Sequence, residues 1–190
     1  MARTRLTLII ATVGMTATAT LAGPEFYGGH PHKITGWTAE YFEPWEFASK
    51  GNGKLHVSRD MIAALDRVRA AVGHPIQILS AFRDPDHNAR VGGAKASRHT
   101  VGDAVDINLA GLNEVERHAL MWHLLAEGFT SFGSYARSPN MLHADMRSAA
   151  RIWRHGGGAY PVWFRKALSD WGWQRDQGPT RDLTGIYARK

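Results

Sequence analysis

AVDINL (104–109) and MLHADM (141–146) decide the fold. In the first, Val105, Ile107 and Leu109 fall on one side of an extended chain, and Ala104, Asp106 and Asn108 on the other. In the second, Leu142, Ala144 and Met146 can point to a core while Met141, His143 and Asp145 share the opposite side. Period-two alternation of this kind describes half-buried strands. If the polar faces of the two strands meet, Asp106 and His143 form a site on rigid elements rather than on loops.

The flanking segments read as helices and one further strand. Ser58 is placed to cap a helix running to about Val72, with Met61, Leu65, Val68 and Val72 on one face and Gly73-His74-Pro75 as its stop. PIQILSAF (75–82) is a short β-rich run, and RDPDHNARVGGAKAS (83–97) carries turn residues throughout and reads as a loop. Asn113 and Glu116 form a capping-box start for a helix ending near Gly128. Tyr160 to Trp171 reads as a final helix, with Pro161 near its first turn and Phe164, Leu168 and Trp171 on one side. The order helix, strand, loop, strand, helix, strand, helix predicts an α+β protein with a small, mostly antiparallel sheet flanked by helices.

At 190 residues with 44% hydrophobic and 21% charged content, the chain is long enough for one globular domain with tails. It has no cysteine, which excludes disulfides, thiolate metal ligands and a cysteine nucleophile. Residues 1–22 carry Arg3 and Arg5, an apolar run from Leu6 to Met15, and the small residues Ala17, Ala19 and Ala22. This is the layout of a secretory signal peptide, and it predicts a periplasmic or secreted protein. Residues 23–39 begin GPEFYGGHPHKITG and read as an extended linker, so His30 and His32 are taken as solvated. Net charge is +6, and residues 151–190 hold eight Lys/Arg against three Asp/Glu. The segment 154–190 therefore reads as a basic C-terminal extension. Four of the seven tryptophans lie in residues 151–190, at Trp153, Trp163, Trp171 and Trp173. Such a segment suits contact with wall polymers or another anionic surface, or its aromatic residues pack on the body. With an export signal in front, nucleic acid is not an expected partner. There is no G-x-S-x-G elbow and no phosphate-binding glycine loop.

The chemistry-bearing residues are His99, Asp106 and His143. Two imidazoles and a carboxylate are the usual protein half of a catalytic zinc site, which keeps its fourth position for water. His99 and Asp106 stand seven apart across Gly102, a spacing that a turn at the glycine would close. By spacing alone, a hydrogen-bonded structural pair is the alternative. The surrounding frame goes further. Ser97-Arg98-His99-x-x-Gly102-x-Ala104-x-Asp106, followed by His143-x-Asp145, resembles the M15 family of zinc D-Ala-D-Ala carboxypeptidases and murein endopeptidases, in particular its M15A C-terminal (M15_3) branch. ILSAFRDPDHNARVGGA (78–94), Phe47 within PWEFAS (44–49), and Arg147 followed by Trp153 resemble other stretches of that family, so the likeness runs over residues 40–153.

The resemblance implies a Hedgehog/D,D-peptidase-like fold, a zinc peptidase domain over residues 40–153, and one zinc ion held by His99, Asp106 and His143. It implies cleavage of amide bonds in peptidoglycan peptide stems, and it places Arg83 to stabilise the oxyanion, a fixed positive charge facing developing negative charge. A phage-type endolysin and a non-catalytic zinc-containing wall-peptide-binding module are the other readings of the same frame. Many family members carry an acidic general base three residues before the last histidine ligand; here Asn140 stands there. Asp145, on the strand face of His143, is the expected replacement, as base or as orienter of a ligand histidine, and structural pairing with Arg147 or Arg98 is its alternative. His87 is a further candidate proton shuttle.

Overall fold

A computed structural model describes residues 25–174, 178 and 179 of the chain; the expected signal peptide lies outside them. Five strands make the central sheet: β3 (Gln77–Ser80), β4 (Ala104–Asn108), β5 (Ser131–Tyr135), β6 (Met141–Asp145) and β7 (Arg151–His155). Their spatial order is β3-β4-β6-β5-β7, antiparallel at every pairing except the parallel β5–β7 edge. A separate two-stranded ribbon pairs β1 (Phe26–Gly29) with β2 (Leu55–Ser58). The longer helices are α1 (Arg59–Val72), α4 (Glu114–Ala126) and α5 (Val162–Trp171); α2 (Pro85–Arg90) and α3 (Arg98–Val101) are short. A last two-stranded ribbon joins β8 (Trp173–Gln174) to β9 (Gly178–Pro179). The chain is an α+β protein, as its pattern of elements predicts, and no helix among the described residues is long and apolar enough to cross a membrane.

The helices begin and end where their capping residues stand. The Ser58 hydroxyl accepts from the Met61 amide at the start of α1, and Gly73 closes it in a left-handed conformation with φ 71°. Asn113 and Glu116 satisfy each other's backbone donors at the start of α4. Met61, Ile62, Leu65 and Val68 of α1 and Leu120, Met121, Leu124 and Leu125 of α4 are buried against one face of the sheet, which offers Val105, Ile107, Phe132, Leu142 and Ala144. Burying each large side chain stabilises the fold by ~1.5–3 kcal/mol. The other face of the sheet carries Asp106, His143 and Asp145.

Three segments differ from expectation. The expected linker over residues 23–39 contains β1. Tyr27 there is buried, lies tilted against Trp37 at 4.7 Å between ring centroids and donates to the Gly36 carbonyl at 2.9 Å. One aromatic anchor with a strand partner thus orders a Gly- and Pro-rich stretch. The expected loop 83–97 contains α2, started by Asp84, whose side chain accepts from the His87 amide. The boundary drawn between Trp153 and Arg154 falls inside β7, and α5 beyond it is core: Trp163, Phe164, Ala167, Leu168 and Trp171 are buried with the sheet and α4. The tryptophans of α5 therefore pack on the body, while residues 175–177 and 180–190 lie outside the described part. Because Phe164 has no exposed surface, Phe164→Ala is expected to cost ~3–5 kcal/mol, read as a lowered urea midpoint; a midpoint like that of the wild type would mean α5 is dispensable to the fold.

Candidate metal centre

Sheet register assembles the site. Ser80, Asp106, His143, Gly133 and Trp153 are successive partners across β3, β4, β6, β5 and β7, forming one row on the face away from the helices. His99 reaches this row from α3. Gly102 ends α3 at φ 89°, and a side chain there would collide with the His56 carbonyl oxygen, so glycine is required both for the turn and for the packing. The short helix was not expected, but the turn at Gly102 does bring His99 back onto Asp106.

The three side chains converge. His143 Nδ1 lies 2.9 Å from Asp106 Oδ1 and 3.1 Å from His99 Nε2, and His99 Nε2 lies 3.3 Å from Asp106 Oδ1. All three residues are buried, and as a group they could hold a metal ion. The outward contacts set the tautomers. His99 Nδ1–H donates to the Ala81 carbonyl at 2.6 Å, and His143 Nε2–H donates to Asp145 Oδ2 at 3.0 Å. With both protons directed outward, both inner nitrogens present lone pairs to each other and to a carboxylate oxygen. Such an arrangement calls for a cation at its centre. Its spacing fits one, since donors ~2.0–2.1 Å from a tetrahedral centre stand about 3.3 Å apart.

Charge follows geometry here. Burial works against ionisation of Asp106, yet its contacts with His143 and His99 hold its carboxyl well below the usual range. Burial also opposes a charge on His143, but Asp106 and Asp145 on its two sides outweigh it and raise its affinity for a proton. The inner donors thus bind a cation, whether proton or metal.

Asp145 is wholly buried and fully engaged. Its Oδ1 accepts from the Arg147 backbone amide at 3.2 Å and from Arg147 Nε at 2.7 Å, and its Oδ2 accepts from Arg147 Nη2 and His143. Burial is overcome by these bonds, which lower its pKa to about 2. It touches His143 on the nitrogen opposite the convergence point, so its position is that of an orienting carboxylate. Asp145 thus contacts His143 and pairs with Arg147 at the same time. Arg83 donates through Nε to Ser80 Oγ at 2.9 Å and through Nη2 to Asp106 Oδ2, and so buttresses the carboxylate of the convergent set. Arg98 is tied to Asp103. Asn140 is exposed, accepts from Arg117 Nη2 at 2.8 Å and stands apart from the residues that line the cavity.

The convergent set opens on a cavity of about 860 Å³. His87 of α2 lines it, as do Tyr135 and His155, which the sequence did not single out. Nor did the sequence single out Gly133. A Cβ at Gly133 would stand 2.5 Å from Trp153 Cε2, so only glycine lets the indole lie across β5 and meet the His143 ring, at 4.9 Å between centroids. A glycine inside a strand signals this kind of close approach, but β5 was not recognised as a strand.

The chain belongs to the Peptidase M15 family, matching it in the M15_3 branch over residues 39–145. No curated protein matches it. The family match ends at Asp145, whereas the sheet and cavity continue through Arg147, Trp153 and His155.

Replacing Asp145 by Asn keeps the shape but removes the charge behind His143. Asp145→Asn is expected to weaken metal affinity about 10–100-fold, measured by competition with a chromophoric chelator; unchanged affinity would show that the carboxylate does not tune the site.

Proposed function

We propose that this M15 peptidase is a zinc metallopeptidase that hydrolyses amide bonds in peptidoglycan peptide stems. The observation that carries the reading is the convergence of His99 Nε2, His143 Nδ1 and Asp106 Oδ1, with both imidazole protons turned outward, at the floor of an open cavity. Peptidases of this family are zinc-dependent, and the donor set and its spacing suit one zinc ion. Zinc, when bound, supplies Lewis acidity that makes water a nucleophile near neutral pH and polarises a carbonyl.

The chain's own residues do the rest. Asp145, clamped by Arg147, holds the His143 ring in the tautomer that leaves Nδ1 free. The Ala81 carbonyl does the same for His99. Arg83 steadies Asp106 with one nitrogen and keeps its remaining N–H groups for the oxygen that gains charge during amide cleavage. Trp153 covers the flank of His143 and limits water there. Among the residues lining the cavity, Lys50, Arg83, Arg98, Arg147 and Arg151 face a single carboxylate, Asp106. Three of these arginines are paired with Asp106, Asp103 and Asp145, which leaves Lys50 and Arg151 to attract a carboxylate-bearing peptide.

A second reading, a zinc-containing module that binds wall peptide without cleaving it, draws on one observation. Asp145 is saturated with hydrogen bonds, and Asn140 occupies the position of the missing acid. Incubating the purified chain with intact murein sacculi separates the two. The peptidase reading expects one zinc per chain and release of muropeptides that stops on chelation and in His143→Ala. Bound zinc with no release at any time would establish the binding module instead. Residues 1–22 support export to the periplasm or the exterior, and N-terminal sequencing of the fractionated protein is expected to find a mature chain beginning after Ala19 or Ala22; an intact Met1 in the cytosolic fraction would refute export.

A further inference from the structure

The assigned residues leave one task thinly covered. Arg83 is the only cavity group so far given to the developing oxyanion, and its Nε and Nη2 are already committed to Ser80 and Asp106. Asp145 is turned away behind His143 and Asn140 is bonded to Arg117, so neither reaches the reacting centre.

Tyr135 has the placement these groups lack. It follows Gly133 by two residues on β5, so its side chain shares the face of the His143 row and stands one rung away, about 7 Å along the strand. It pairs in register with His155 of β7, whose ring lies 6.2 Å from its own, and both line the cavity together with His99, Asp106 and His143. Trp153, laid across Gly133, flanks the phenol from the neighbouring rung. Tyr135 lines the same cavity as Arg83 and Asp106, and the charges of both act on its phenol. Burial and the Asp106 carboxylate push its pKa up to about 12, against Arg83 and Trp153. Among the described residues, no group accepts that proton. A half-buried, neutral donor on the cavity wall and lacking a protein acceptor is suited to an oxygen that arrives with the substrate.

We propose that Tyr135 is a catalytic residue of this peptidase, its hydroxyl donating a hydrogen bond to the scissile carbonyl oxygen as that oxygen gains negative charge, beside Arg83. The role rests on the peptidase reading above. No proton is transferred; the phenol donates a hydrogen bond that strengthens as charge develops and weakens again when the tetrahedral species collapses. Because the interaction is made in the transition state more than in the bound substrate, its loss falls on kcat and kcat/KM equally and leaves KM in place.

The test compares the full-length wild type with Tyr135→Phe, each loaded with one zinc, on soluble cross-linked muropeptides cut from sacculi by a glycan-cleaving enzyme. Removal of one oxyanion donor is expected to lower kcat ~10²–10³-fold. KM, zinc affinity by chelator competition and melting temperature are expected to stay at wild-type values, since the ring and its packing remain. Activity equal to the wild type, or a loss carried by KM or by zinc affinity, overturns the role. If Tyr135→Phe does not fold, 3-fluorotyrosine at this one position keeps the ring and the hydroxyl while making the donor more acidic. A raised kcat supports the role and an unchanged kcat overturns it. An inactive wild type overturns the peptidase reading and this role together, whereas an active wild type beside an equally active Tyr135→Phe overturns this role alone.

Discussion

Three electron-rich atoms, His99 Nε2, His143 Nδ1 and Asp106 Oδ1, are held 2.9–3.3 Å from one another in a buried setting. Without a cation between them they repel, and in a low-dielectric surrounding the repulsion is only weakly screened. The fold must therefore impose the arrangement. It does so from outside, since each atom is backed by a hydrogen bond on its far side: the Ala81 carbonyl behind His99, the Arg147-clamped Asp145 behind His143, and the Arg83 guanidinium behind Asp106.

The sheet makes this possible because its two faces do different work. One face is apolar and closed by α1, α4 and α5, which fixes strand register by burying Val105, Ile107, Phe132, Leu142 and Ala144. With register fixed, the opposite side chains have no freedom to choose their neighbours: Asp106 must stand beside His143, and His143 beside Gly133. A slip of one residue in either strand would send the donors into the core. The rigidity of the convergent set is thus inherited from a hydrophobic face that never touches it. Gly133 adds a second constraint, because its missing side chain is the space that Trp153 fills.

Much of this was legible in the sequence, for a physical reason. Local signals survive without tertiary context, so the caps at Ser58 and Asn113, the stop at Gly73 and the alternation of 104–109 and 141–146 each reappear at or near their expected positions. The three convergent residues were legible because imidazole and carboxylate in that frame suit one kind of chemistry. Other elements gave little local signal. SFGSY (131–135) mixes serine and glycine with aromatics and is a central strand only because neighbours on both sides pair with it. RIWRH (151–155) carries three basic residues along an edge strand. Phe26-Tyr27-Gly28-Gly29 looks like a linker until Tyr27 is seen buried beside Trp37.

The sequence by itself determined the α+β class, the two polar strand faces and the identity of the convergent set, since capping, periodicity and ligand chemistry are properties of neighbouring residues. Tertiary structure alone decided what Asp145 does. Spacing put it on the face of His143 and left it free to be base or orienter. The three-dimensional fold set it against the outer nitrogen and closed its remaining acceptor sites with Arg147. The same holds for Tyr135, Gly133 and Trp153, which meet across strands distant in sequence. Which nitrogen a carboxylate touches, and which side chain a glycine makes room for, depends on long-range register that no local pattern encodes.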